Sequence, residues 1–123
     1  MTHVETKRTH QPLPDGLTDY EEFFGYYLRE HRKPSTRRVH AAGTVLGTAL
    51  LVAAIATSNW ALIPLGVVVG YGFAWVSHFF VERNKPAAFK YPFWSFISDY
   101  RMVYLMVTGK IGQSLEKAGV SGS

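Results

Sequence analysis

The sequence predicts an all-α membrane protein: a hairpin of two transmembrane helices, flanked by an N-terminal amphipathic helix and a C-terminal membrane-associated helix. Three observations predict it. No Asp, Glu, Lys or Arg occurs from Ala41 to Ser77, although charged residues make up 18% of the 123-residue chain. That run is too long for one crossing and suits two, since a transmembrane helix needs roughly 20 apolar residues. Basic residues crowd both ends of the run and are missing from its middle. A soluble domain of this size turns one polar face of each element to water, so a long uncharged run points to lipid as the solvent. In lipid a helix satisfies its own backbone, whereas an open strand leaves polar groups unpaired.

The elements follow in order. Residues 1–17, with Pro12, Pro14 and Gly16, read as a disordered polar tail. Thr18 or Asp19 can cap a helix running to about His31, with Glu21 and Glu22 in its first turn. Tyr20, Phe23, Phe24, Tyr27 and Leu28 follow helical spacing, so one aromatic face meets protein or membrane. Pro34 ends this helix, and Ser35 or Thr36 can cap the next. The first crossing is predicted from about Arg38 to Thr57, and the second from about Trp60 to Val81, with Thr57-Ser58-Asn59 as a polar turn. Pro64 falls in the first turn of the second helix, where its missing N–H costs little. Gly43 and Gly47, like Gly66 and Gly70, have the small-xxx-small spacing that lets helix backbones approach closely.

After the hairpin, Lys85-Pro86 and Tyr91-Pro92 break the chain. Phe93 to Val107 is apolar but interrupted by Asp99 and Arg101. It can lie in the interface or enter the membrane with its charges turned inward; a helix packed on the hairpin is the expectation. A single membrane-embedded domain is expected over residues 18–112, and a flexible tail over 113–123.

Topology follows from charge. Arg29, Arg32, Lys33, Arg37 and Arg38 precede the hairpin, and Arg83, Lys85 and Lys90 follow it. The positive-inside rule puts both termini in the cytoplasm and the turn outside, with Trp60 at the outer interface. The membrane is a bacterial inner membrane, or the endoplasmic reticulum if the source is eukaryotic. Topology and anionic lipid account for the net charge of +4, so nucleic acid is not expected as a partner. The sequence leaves a homo-oligomer open.

Five histidines occur, two of them (His3 and His10) in the tail. His31, His40 and His78 sit at element ends near the cytoplasmic boundary. A straight helix would set His31 and His40 on opposite faces, because nine residues rotate by about 180°. The Pro34 break removes that objection, and antiparallel pairing brings His40 and His78 to one depth. Glu82 follows His78 by four residues and shares its helical face; Asp99 is the acid of the following segment. Three imidazoles with a carboxylate suit zinc or iron. With no cysteine in the chain, thiolate sites and iron–sulfur clusters are excluded. Taken singly, each histidine could equally cap carbonyls or sit among headgroups, and Glu82 and Asp99 could be ordinary interfacial charge. Convergence of three histidines at one depth strengthens the metal reading without closing these alternatives.

Several motifs carry a resemblance. They are Phe23-Phe24-x-x-Tyr27-Leu28-x-x-His31-Arg32-x-Pro34 and Arg38-x-His40-x-x-Gly43-Thr44. Further on come Gly70-Tyr71-x-x-Ala74-Trp75-x-x-His78-Phe79, Glu82-x-Asn84-x-Pro86-Ala87, and Tyr91-Pro92-x-x-Ser95 with Asp99. From about Tyr20 to Gly109 this ordered set resembles the iron-dependent 2-hydroxy fatty acid dioxygenases of sphingolipid degradation. Ser77, where glycine is expected before the histidine, departs from the pattern at a close-packed position. The resemblance implies a multipass membrane enzyme that uses Fe(II) and O2 to shorten 2-hydroxy fatty acids by one carbon. It implies His31, His40 and His78 as iron ligands, with Glu82 or Asp99 as catalytic carboxylates, either a fourth ligand or a partner orienting an imidazole. Arg32 or Arg38 would neutralise the substrate carboxylate, and the acyl chain would lie along Leu50, Val67 and Phe73. The alternatives are a non-catalytic membrane protein that binds lipid or a partner helix, and a zinc-dependent lipid hydrolase.

Overall fold

The computed structural model describes residues 19–120, and every regular element in them is helical. In chain order these are α1 (Tyr20–Arg29), α2 (Pro34–Thr57), α3 (Leu62–Val76), a π-helical turn (Ser77–Glu82), a 3-10 turn (Ala87–Phe89), α4 (Pro92–Val107) and α5 (Ile111–Lys117). The all-α class is as expected. The predicted tail over 1–17 lies outside the described residues. Where one domain was expected, the chain divides into two compact units: Lys33–Pro86 forms one, and the segments on either side, through Arg32 and from Ala87, together form the other.

The unit made from both chain ends is built on α1. The Asp19 carboxylate accepts the Glu22 N–H at 2.8 Å, so Asp19 is the cap. The helical spacing of the aromatic residues then buries Phe23, Phe24, Tyr27 and Leu28 on one face, packed with Met102 of α4 and Leu115 of α5. The charges of α4 turn onto this unit. Asp99 accepts a hydrogen bond from the Tyr27 hydroxyl at 2.6 Å. Arg101 pairs with Glu21 at 3.2 Å, and its guanidinium lies 3.9 Å from the Phe24 ring centre.

One correction concerns the C-terminal segment. Residues 113–117, read as the start of a flexible tail, belong to α5, and Leu115, Ala118 and Val120 are buried. Gly109 adopts a left-handed φ of 76°, and the Lys110 N–H bonds the Leu105 carbonyl at 2.8 Å. That reversal returns the chain to the core, where Leu115, Ala118 and Val120 join the buried cluster.

The other unit is the hairpin. Its first helix begins at Pro34, four residues earlier than expected. Proline at the first helical position gives up no hydrogen bond, so Pro34 starts α2 and Ser35 and Thr36 lie within it. Lys33 offers no side-chain cap. Glu82 serves instead, accepting from the Lys33 N–H at 3.1 Å and the Thr36 hydroxyl at 2.6 Å.

At the far end, Ser58 (φ 54°) closes α2, and the Asn59 N–H bonds the Ala54 carbonyl. This is the predicted polar turn. Helices α2 and α3 meet at the four glycines: a Cβ on Gly47 would sit 2.8 Å from the Gly66 carbonyl oxygen, and one on Gly66 would sit 2.9 Å from that of Gly47. A Cβ on Gly43 would collide with Phe73. With Gly47 against Gly66 and Gly43 towards Gly70, a step of four back on one helix matches four forward on the other, so the pairing is antiparallel.

Among the described residues, two helical stretches are long and apolar enough to cross a membrane: Pro34–Thr57, of 24 residues, and Leu62–Glu82, of 21.

Candidate metal centre

Each of the three interior histidines is positioned by a different local device. Helix α1 ends at Arg29, and the His31 N–H reaches the Leu28 carbonyl at 3.0 Å. The His31 ring folds back over its own helix, where Nδ1 lies 2.6 Å from the Tyr27 carbonyl oxygen. A carbonyl can only accept, so Nδ1 carries the proton and Nε2 presents the lone pair. The ring also stacks on Tyr27, with centroids 4.2 Å apart and planes 26° apart. Burial, and then the neighbouring Asp99 carboxylate, pushes the Tyr27 phenol well above its ordinary value, which keeps it a donor to Asp99.

His78 lies in the π-helical turn. This wider turn ends at Arg83, whose φ is 67°, and the Asn84 N–H closes on the His78 carbonyl at 2.8 Å. The same closure carries the Asn84 side-chain oxygen to 2.8 Å from His78 Nδ1. His78 is thereby held in the same tautomer as His31, with Nε2 as the donor atom. Single π-turns of this kind recur at functional sites.

His40 stands on the buried face of α2 with Thr36, Arg37, Gly43 and Gly47. Its ring meets that of His78 edge-on, with centroids 5.3 Å apart.

All three histidines are buried, at 0%, 5% and 1% exposure for His31, His40 and His78. One ligand atom from each lies within 4.8 Å of the others. Three imidazoles at this spacing could hold a metal ion. Among the described residues no carboxylate joins this group.

The carboxylates and arginines singled out from the sequence have definite places. Glu82 is engaged by Lys33 and Thr36, and Asp99 by Tyr27. His78 and Glu82 both lie in the π-helical turn. Arg32 and Arg38 are exposed, whereas Arg37 is 4% exposed and shares the His40 face. Sequence reasoning gave Tyr27, Asn84 and Arg37 no role at the histidine cluster. A signal existed for Tyr27, one helical turn before His31. Asn84 stands in the motif Glu82-x-Asn84-x-Pro86-Ala87, but the π-turn that swings it back to His78 is invisible in composition or spacing.

Helical elements throughout the described residues, with three buried histidines close together, define a class that could hold a metal ion. Within it, residues 17–111 match the family model described as 2-hydroxy-palmitic acid dioxygenase Mpo1-like, and the chain belongs to that family. No curated protein and no solved structure matches the chain.

Proposed function

We propose that this protein is a membrane-embedded, Fe(II)-dependent dioxygenase that shortens 2-hydroxy fatty acids by one carbon. The observation that carries the reading is the convergence of His31, His40 and His78, in a chain whose family is described by a 2-hydroxy-palmitic acid dioxygenase. The donor set fits iron, since imidazole nitrogens suit it, and His31, His40 and His78 would hold it. Fe(II) there would supply the activation of O2 that breaking the C1–C2 bond of the substrate requires.

The chain's own residues do the rest. The Tyr27 carbonyl and the Asn84 amide oxygen hold two imidazoles in the ligating tautomer. Asp99 acts through Tyr27, and Glu82 fixes the start of α2, so both carboxylates work as positioning groups in this reading. Arg32 and Arg38 draw the fatty acid carboxylate by its charge, and Arg37 supplies a buried cation on the His40 face.

Membrane embedding is supported by exposure. Only 22% of the most apolar window of the first helix and 17% of that of the second are buried, whereas the core helix of a soluble protein is mostly buried. Val52, Ile55, Val68 and Phe80 are among the large apolar side chains turned outward. Lipid is the solvent that such a surface suits, and an acyl substrate could reach the site from it. Following the distribution of basic residues, we place both ends of the hairpin in the cytoplasm.

The test is oxygen uptake by detergent-purified protein reconstituted with Fe(II) and given 2-hydroxypalmitate. Consumption of O2 with formation of the acid one carbon shorter supports the proposal. Zinc in the purified protein, with ester or amide hydrolysis and no oxygen uptake, would replace it with a lipid hydrolase.

A further inference from the structure

One face of α4 is left unexplained by the metal centre. Phe93, Phe96, Ile97, Tyr100, Tyr104 and Val107 are all exposed, Phe93 at 73% and Val107 at 80%. At about 100° per residue these six fall within an arc roughly 100° wide. The other face holds the buried Ser95, Ser98 and Met102. Asp99 and Arg101 are engaged with Tyr27 and Glu21. The outward side of α4 is therefore the apolar side, the reverse of a surface helix in water. Exposed lysines, Lys90 and Lys110, bracket it.

We propose that α4 lies in the plane of the membrane interface, its stripe sunk to the boundary between headgroups and acyl chains, without crossing the bilayer. The proposal rests on reading α2 and α3 as a membrane hairpin. Connectivity supports a lipid surface as the occupant: only Lys33 separates Arg32 from α2, and Pro86 joins directly to Ala87. Both segments of the unit that carries α4 are thus joined by the chain directly to the hairpin. Length excludes a crossing, since the 16 residues of α4 span about 24 Å against roughly 30 Å of hydrocarbon. Tyr100 and Tyr104 place amphipathic rings where interfacial tyrosines favour lying. Lys90 and Lys110 suit anionic headgroups, their stems along the apolar stripe and their ammonium groups towards phosphate.

The chain has no cysteine, so single nitroxide labels can be placed without removing any residue of the site. Phe93→Cys, Phe96→Cys, Tyr104→Cys and Val107→Cys would be labelled in the full chain, in vesicles of phosphatidylcholine and phosphatidylglycerol. Val52→Cys on α2 and Glu116→Cys on α5 serve as references. Depth is read from relaxation by oxygen against relaxation by a water-soluble nickel chelate. The expected result is one shallow depth for all four α4 labels, with Val52 deep and Glu116 in water. Depth that increases steadily from Phe93 to Val107 would mean a crossing and overturn the proposal. So would α4 labels lying in water, or labels shielded from both relaxants by a second copy or another protein. A Val52 label in water would sink the hairpin reading itself, and the α4 depths are read independently of it.

Discussion

At His78 one side-chain oxygen decides which nitrogen faces the cluster. Asn84 accepts at Nδ1, and without it the ring can rotate or change tautomer. Removing such an orienting partner typically costs 10–100-fold in metal affinity. Asn84→Ala is therefore expected to weaken iron binding by about that factor while leaving the helical circular dichroism unchanged; competition with a chelator measures it. Glu82 separates two roles cleanly. If it caps α2, Glu82→Gln keeps the hydrogen bonds and loses only the charge near the helix N-terminus, worth about 0.3–1 kcal/mol. Iron content then stays at the wild-type level, whereas a ligating Glu82 would lose iron. Tyr26 and Tyr27 give the aromatic unit a pH limit. Burial raises the Tyr26 phenol from 10.0 to about 12 and raises Tyr27 well above its ordinary value. Both folded-state values exceed the unfolded one, so their contribution is complete below pH 10 and is lost as pH rises through the folded values. Alkaline titration should show cooperative loss of near-UV dichroism starting above pH 10, at higher pH in Tyr26→Phe; loss beginning near neutrality would contradict it.

Among the elements, the hairpin is the part written most plainly in the sequence. The uncharged run, the polar turn at Ser58 and the spacing of Gly43, Gly47, Gly66 and Gly70 each reflect a local requirement that composition can express. The close approach at Gly47 gives a direct prediction. A Cβ there falls 2.8 Å from a backbone oxygen, which cannot swing away as a flexible side chain can. Gly47→Val should destabilise the hairpin by about 1–3 kcal/mol, the usual cost of overpacking, and Gly72→Ala, where a Cβ would meet nothing within 4 Å, should not. Thermal melts in one detergent compare them; equal melting temperatures would refute the packing. The π-turn and α5 were not legible, for physical reasons. A π-turn is a choice between two backbone hydrogen-bond registers that the same residues could make, and tertiary contact settles it. In α5 only Leu115 carries deep burial, too short a signal for periodicity to register.

For the whole molecule, the sequence singled out three histidines but not what holds them. Their spacing around Pro34 and along an antiparallel pair put them near one depth, and they do converge. The carboxylates were assigned by proximity in sequence, and their partners in the structure, Thr36 and Lys33 for Glu82 and Tyr27 for Asp99, come from contacts between distant residues. The central claim is that this convergence exists to hold iron. The most direct test is the metal content of protein purified without oxygen, measured for wild type and for His31→Ala, His40→Ala and His78→Ala. The account predicts close to one iron per chain in the wild type and a large loss in each variant, with helical dichroism retained. Wild-type protein without iron, or variants that keep their full iron content, would contradict it.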